Sequence, residues 1–321
     1  RNMKLKITIL FLSIYAFTFS QTDNVSYKDL GIQKKPVKIE SMTYSMEDKF
    51  ITDNASDLYT FNENGSILLH EFNIYGDYAS STSEISKYQN DKIIQREVTV
   101  KNRPNFNSIM TFKYENDNLK QKTYQAKYYK NEFLFSYDKD NKLIEIKGVY
   151  NSNYSIEKYY YNQEKLYKTV IQYFNNDTIS SQNMKLYIDD KVVVEYDGND
   201  KFSKAFLKEE KGEMLLQLNH AKPLQEINKI ESKIINEKMS FAKFKEYLLN
   251  KSNAAYVKVI VNEHCKNNEN NDWIAKMGID KMLKEERKYY TFRKITYADG
   301  TESGSTDFNI FTINELKAMF K

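Results

Sequence analysis

The sequence predicts a mainly β protein: an antiparallel β-meander of hairpin repeats about 24 residues long, followed by an α+β C-terminal region. Three observations carry this. The 321 residues include 26 Tyr and 19 Phe against only 9 Gly and 3 Pro, and aromatic residues favour strands. A short aromatic-turn-aliphatic pattern recurs at a near-constant interval. After about residue 205 the spacing of apolar residues changes from two to three and four, the helical period.

The chain opens with a basic stretch containing Lys4 and Lys6, then an apolar run from Ile7 to Phe19. That run is shorter than the roughly 20 residues a spanning helix needs. It ends Thr18-Phe19-Ser20 with small residues at the positions before a cut, so residues 1–20 read as a signal peptide, cleaved near Ser20–Gln21. No cysteine follows the run, which argues for a soluble rather than a lipid-anchored product. Residues 1–20 hold Arg1, Lys4, Lys6 and no acid, so the formal charge of +4 falls to +1 without them. A near-neutral chain has no electrostatic footprint for nucleic acid.

The repeats occupy residues 21–205. The clearest copies are Tyr59-Thr-Phe61 before Asn62 to Gly65 and Ile67, Phe112-Lys-Tyr114 before Glu115 to Asn118 and Leu119, and Phe135-Ser-Tyr137 before Asp138 to Asn141 and Leu143. Tyr159-Tyr-Tyr161 before Asn162 to Lys165 and Leu166 is a fourth. Weaker copies lie at 88–93, 188–193 and 196–202, and the faintest at 44–50. The anchors Phe61, Tyr88, Tyr114, Tyr137, Tyr161 and Ile188 are 27, 26, 23, 24 and 27 residues apart, as in internal repeats. Aromatic-x-aromatic places two rings on one strand face. The Asn/Asp run turns the chain, and the aliphatic residue opens the return strand. Several strands are apolar on both faces, which points to a curled or partly covered sheet.

The segment Phe135-Ser-Tyr137-Asp138-Lys-Asp-Asn141-Lys-Leu143-Ile144, echoed in part by Tyr196-Asp197-Gly198-Asn199-Asp200, resembles the tyrosine–aspartate (YD, Rhs-type) repeat, roughly Tyr-x-Tyr-Asp-x-x-Gly-x-Leu. The resemblance covers about residues 40–205; the turn Gly survives only at Gly65 and the Asp varies. It implies long β-sheets that roll into shells around cargo, on secreted or cell-surface proteins. A chain of this length is too short to close such a shell alone. The family has no catalytic residues to carry over.

Residues 206–321 read as an α+β domain or cap. Pro223 opens a helix with Leu224, Ile227, Ile230 and Ile234 in its stripe. Ser240 caps a second with Phe241, Phe244, Tyr247 and Leu248. Residues 255–262 read as a strand, Asp272 to Glu286 as a helix interrupted at Gly278, and Tyr289 to Tyr297 and Asp307 to Phe311 as strands. Thr312 is expected to cap a last helix, Ile313 to Phe320. Trp273, which follows the polar run Lys266 to Asp272, is expected to anchor a helix into the core rather than to form a ligand platform.

Candidate chemistry is sparse. His264 and Cys265 are the most tempting pair, but neighbours at a strand end point in different directions and do not form a dyad. Cys265, the single cysteine, has no internal disulfide partner. His70 and His220 stand alone, and there is no His-Glu-x-x-His or Cys-x-x-Cys motif, so no metal site and no cofactor are expected. Asp138-Lys-Asp140-Asn141 and Asp197 to Asp200 read as turns rather than calcium loops, which need more acids. Gly304-Ser305-Thr306-Asp307 lacks the nucleophile-elbow frame. The tyrosines read mainly as cross-strand packing, with stacking on a ligand as the other use. The resulting expectation is an exported, non-catalytic binding or envelope-interaction protein in the periplasm, at the outer surface or outside the cell. Its partner would be a protein or glycan, not nucleic acid, and the chain is not expected to be an integral membrane protein. A secreted hydrolase with its site in the C-terminal domain, or a scaffold related to secreted toxin systems, are the alternatives.

Overall fold

The structure is a computed structural model that describes residues 25–47, 50–76, 79–150, 153–189, 191–197, 202–209, 212–219, 223–249, 259–282 and 285–319. The expected signal peptide and cleavage point, His220, and residues 198–200 and 255–258 lie outside them.

Hairpins are built where the turn residues allow it. The first strands are β1 (Pro36–Glu47), β2 (Phe50–Phe61) and β3 (Ile67–Ile74). They are followed by β4 (Ser80–Gln89), β5 (Lys92–Val100), β6 (Ser108–Glu115), β7 (Asn118–Ala126), β8 (Lys130–Tyr137) and β9 (Leu143–Tyr150). Then come β10 (Asn153–Asn162), β11 (Lys165–Asn175), β12 (Thr178–Ile188), β13 (Lys191–Asp197), β14 (Phe202–Glu209) and β15 (Gly212–Asn219). After two helices the chain adds β16 (Val259–Asn267), β17 (Trp273–Met282), β18 (Glu285–Tyr297) and the short β19 (Glu302–Gly304).

All belong to one 19-stranded sheet, and every pairing between named strands is antiparallel. Each strand from β1 to β18 pairs with its successor, and β18 pairs back with β1 over Pro36–Met46 and Lys288–Tyr297. The pairing is therefore a closed cycle in which β1–β18 each have a neighbour on both sides. The expected division at residue 205 falls inside β14, and the sheet runs through it without a break.

The repeat has a definite backbone form. Five of the six expected anchors, Phe61, Tyr88, Tyr114, Tyr137 and Tyr161, sit where the register slips by one residue just before the turn. In the sixth hairpin the slip falls at Tyr187, one residue before the expected Ile188. Such a bulge twists the strand locally. Two-residue turns follow at Asn90-Asp91, Asn116-Asp117 and Gln163-Glu164, all with positive φ, as twist-matched hairpin turns require. The longer turns use an Asx cap. Asp138 Oδ1 accepts from the Asp140 and Lys142 amides at 2.9 Å each, and Asn62 Oδ1 accepts from Asn64 and Ser66 at the same distance. Gly65 and Asn141 then supply the left-handed residue at φ 84° and 61°.

One sheet face is crowded and the other is wet. Ser108, Phe112, Phe135, Ile146, Ser155 and Tyr159 are buried on the first. Among the described residues no helix packs over them, and neighbouring strands close over this face, the inner one. The outer face of β4–β10 presents Lys87, Lys113, Lys147 and Lys158 beside exposed Ile85, Ile109 and Leu134. The outer face there mixes charged and apolar side chains. Among the described residues no helix is long and apolar enough to cross a membrane.

Helices cover two stretches of the outer face. Helices α1 (Pro223–Asn236) and α2 (Phe241–Leu249) bury Ile227, Ile230 and Phe244 against Val170, Met184, Leu186 and Val194 of β11–β13. Full burial is worth about 1.5–3 kcal/mol for each such side chain. Helix α3 (Ile310–Ala318) packs Ile313 and Leu316 onto Ala275, Met277, Tyr290 and Phe292.

The C-terminal third differs from expectation in three places. Residues 272–286 form no helix: β17 alternates Ala275 and Met277 onto the face beneath α3, and sheet pairing on both edges overrides helical propensity. Residues 307–311 are not a strand; the short strand is Glu302–Gly304 and α3 starts at Ile310. The cap is Asn309, whose side chain accepts from Phe311 N and Thr312 N at 3.0 and 3.1 Å, so Thr312 lies inside the first turn.

Candidate functional site

Polar side chains with chemistry gather at two places on the inner face. The first is the seam where chain ends meet, on β1–β3 and β16–β18. His70 Nε2 lies 2.9 Å from Asp57 Oδ1, and the Tyr59 ring stacks on the imidazole at 4.3 Å between centroids. Tyr59 also donates from its hydroxyl to Asp57 at 3.3 Å. His70, expected to stand alone, is thus held by cross-strand partners that sequence spacing does not show.

Beside them Arg293 is 5% exposed, and its guanidinium lies 3.3 Å over the Trp273 ring. Burial pulls its pKa down to about 10 while Tyr59, Asp57, Cys265 and Asp272 oppose the shift, so it stays charged at neutral pH. Arg293 Nη1 donates to Leu30 O at 3.2 Å. Trp273 is accordingly a strand residue that stacks on a cation, not a helix anchor. Fully buried Asp272 accepts from Gln33 N and, at 2.7 Å, from the Tyr297 hydroxyl. Arg293 and Asp272 therefore clamp residues 25–35, which run along the rim; Tyr27 N donates to Gly65 O at 3.1 Å and Ile67 N to Val25 O at 3.2 Å.

The second place is on β10–β13. Burial raises the Glu157 carboxyl above its ordinary value, against the opposing effects of Tyr159 and Lys185. Burial also pushes the Tyr187 phenol up to about 12. Tyr187 and Thr169 hydroxyls are 3.3 Å apart, and Lys185 pairs with Glu195 at 3.3 Å. Burial thus favours the protonated form of Glu157 beside the Tyr187 phenol. Among the described residues no aligned nucleophile or built oxyanion donor accompanies it.

A third feature is a shallow cleft of about 300 Å³ under α3, lined by Ile274, Phe292, Phe308, Asp307, Asn309 and Lys266 among others. Lys266 is engaged by Glu315 at 2.6 Å, and Ser305 Oγ by Asp307 at 2.9 Å.

The expected candidates fall as follows. His264 and Cys265 occupy successive positions of β16, in register with Met277 and Lys276; Cys265 is exposed. The Asp138 carboxylate is spent on two backbone amides. Gly304-Ser305-Thr306-Asp307 ends β19 and leads into α3, with Gly304 at φ 76°. The anchor tyrosines act as staples. Tyr88, Tyr137 and Tyr161 each donate to the carbonyl of the first return-strand aliphatic in the preceding hairpin, Ile67, Leu119 and Leu143, at 2.8, 3.0 and 2.9 Å. Among the described residues no three His, Cys, Asp or Glu side chains converge as a metal site would need. Asp57, Asp272, Arg293, Glu157 and Lys185 were not singled out by the sequence, because their partners come from other strands.

No protein-family description matches the chain, and no curated protein does. Among solved structures, it is similar to a porin-like protein from Bacteroides uniformis, at 10% identity and a TM-score of 0.36 over 82% of this chain and 98% of that one.

Proposed function

We propose that the chain is an exported bacterial protein, cut near Ser20–Gln21, whose YD-like repeats form a non-catalytic scaffold for binding a protein or glycan in the cell envelope. One observation supports the non-catalytic part: several side chains able to do chemistry are engaged in holding the fold. Asp138 caps a turn, Tyr137 and Tyr161 staple hairpins, and Asp272 and Arg293 clamp the N-terminal segment. Support for the YD-like reading comes from the turn at Asp138, where Asn141 has the left-handed conformation that the repeat's Gly would adopt. Export rests on the basic start, the apolar run and the small residues before Gln21.

The test is fractionation of the native bacterium with detection in medium, periplasm, outer membrane and cytosol, followed by pull-down from the fraction that holds the protein. Recovery outside the cytosol with Gln21 as the first residue is the expected result. Intact protein in the cytosol, still carrying residues 1–20, would sink the export reading.

A further inference from the structure

The two rims of the strand cycle differ. On one, successive turns are tied together by polar contacts. Asn64 bonds to Asp91, Lys92 to Asp117, Asn118 to Asn141, Lys142 to Glu164 and Lys165 to Asp189. On the other, the loops after β5 and β7 carry exposed rings and cations. Residues 101–107 contain Lys101, Arg103 and Phe106, and residues 127–130 contain Lys127, Tyr128 and Lys130; neither loop contains an acid. The four cations are all exposed. Phe106 is 55% and Tyr128 69% exposed, the latter far more than a packed ring.

Both loops are fixed in shape. Phe106 N donates to Arg103 O at 2.9 Å and Asn107 N to Pro104 O at 3.1 Å, while the Asn107 side chain accepts from Val100 N at 2.8 Å. Ala126 N donates to Tyr129 O at 3.0 Å, and Tyr129 stacks inward on Tyr124 at 5.6 Å, which leaves its neighbour Tyr128 pointing away. The loops also touch: Lys127 Nζ and the Tyr128 hydroxyl reach Asn105 Oδ1 at 3.3 and 3.5 Å, and Lys127 sits 4.9 Å over the Tyr128 ring. Among the described residues, Glu132 pairs with Lys130 of this group at 3.6 Å.

We infer that this double loop is a docking surface for an anionic phospholipid membrane, with Phe106 and Tyr128 entering the headgroup layer and Lys101, Arg103, Lys127 and Lys130 over the phosphates. Two preordered, acid-free loop tips with rings flanked by cations match an interface that is apolar below and negative above. Aromatic rings favour that depth, and each cation near such a surface contributes roughly fivefold. The inference rests on the envelope placement proposed above and adds a lipid surface to the protein or glycan partner given there.

The test uses the chain from Gln21 onward, which keeps every described residue and lacks the apolar leader. Sedimentation is measured with phosphatidylglycerol-containing and with pure phosphatidylcholine vesicles. Binding to the anionic vesicles should be at least tenfold stronger and should weaken as salt rises. The double variants Phe106→Ser/Tyr128→Ser and Arg103→Glu/Lys127→Glu should each lower it tenfold or more with unchanged melting temperature, whereas Lys165→Glu on the opposite rim should leave it unchanged. No preference for anionic vesicles, an equal loss from Lys165→Glu, or binding to an anionic polysaccharide with no vesicle binding would overturn the inference. The result is independent of the fractionation, so vesicle binding by a protein found in the cytosol would defeat export alone.

Discussion

Glu157 shows how one residue on the inner face sets a pH dependence. Burial raises its carboxyl above the ordinary value, with Lys185 pulling the other way. A raised folded pKa means that the folded state holds the proton more tightly than the unfolded chain. Its contribution is fully present below the unfolded value and is lost as pH rises through the folded one. Glu157→Gln keeps the shape of the protonated acid and removes the titration. The variant should melt with the wild type at about pH 4, near the unfolded carboxyl value, and above it at about pH 8. Thermal unfolding at the two values checks this. A variant equally destabilised at both would show that the charge of Glu157 is needed in the fold. Nothing in the sequence separates Glu157 from the other acids, because Lys185 and Tyr187 approach it from another strand. Arg293 is similar, since its stacking partner and its acceptor Leu30 O come from β17 and from 263 residues upstream.

At the scale of the element, the hairpins were legible because their determinants are local. An aromatic anchor, a turn residue that tolerates positive φ and an aliphatic return residue all lie within about ten positions of one another. The bulge at each anchor was not legible, since it concerns which residue the partner strand offers. Residues 272–286 misled because Ile274, Met277, Gly278 and Met282 also fit a helical spacing; the deciding alternation of Ala275 and Met277 becomes apolar burial only under α3. Tyr161 and Lys142 both link neighbouring hairpins, Tyr161 through a half-buried hydroxyl bond to Leu143 O and Lys142 through a rim ion pair with exposed Glu164. A hydrogen bond of the first kind is worth about 1 kcal/mol, and an exposed ion pair typically less, often under 0.5 kcal/mol. Tyr161→Phe should therefore lower stability by about 1 kcal/mol in urea titration, and Lys142→Ala by no more than about half of that. A larger loss from Lys142→Ala would mean that the rim of ionic contacts, not the tyrosine staple, joins the repeats.

For the whole molecule, the decisive contact is the last one along the chain. β1 and β18 pair over their length, and the Thr43 and Thr291 hydroxyls meet at 3.0 Å across 248 residues of sequence. Local hairpins can form early, whereas this pairing must wait for everything between, and contacts of such separation form slowly. An unpaired strand edge is a template for another chain, so the seam protects the protein from itself. Two deletions separate closure from size. Removing residues 118–141 takes out β7 and β8 and joins Asp117 to Lys142-Leu143, which reproduces the native order Asp117-Asn118-Leu119 of turn, polar residue and aliphatic. A meander built of similar units can lose one and still pair its ends, because each unit contacts mainly its neighbours. Ending the chain at Met282 instead removes β18 and exposes one edge each of β1 and β17. In size-exclusion chromatography with light scattering the internal deletion should elute with the same oligomeric state as the full chain, and the truncation should form larger species that grow with concentration. If both associate alike, loss of any hairpin suffices and the seam has no special role. If the truncation keeps the state of the full chain and retains its β-sheet circular dichroism, the β1 and β17 edges are protected by something other than β18.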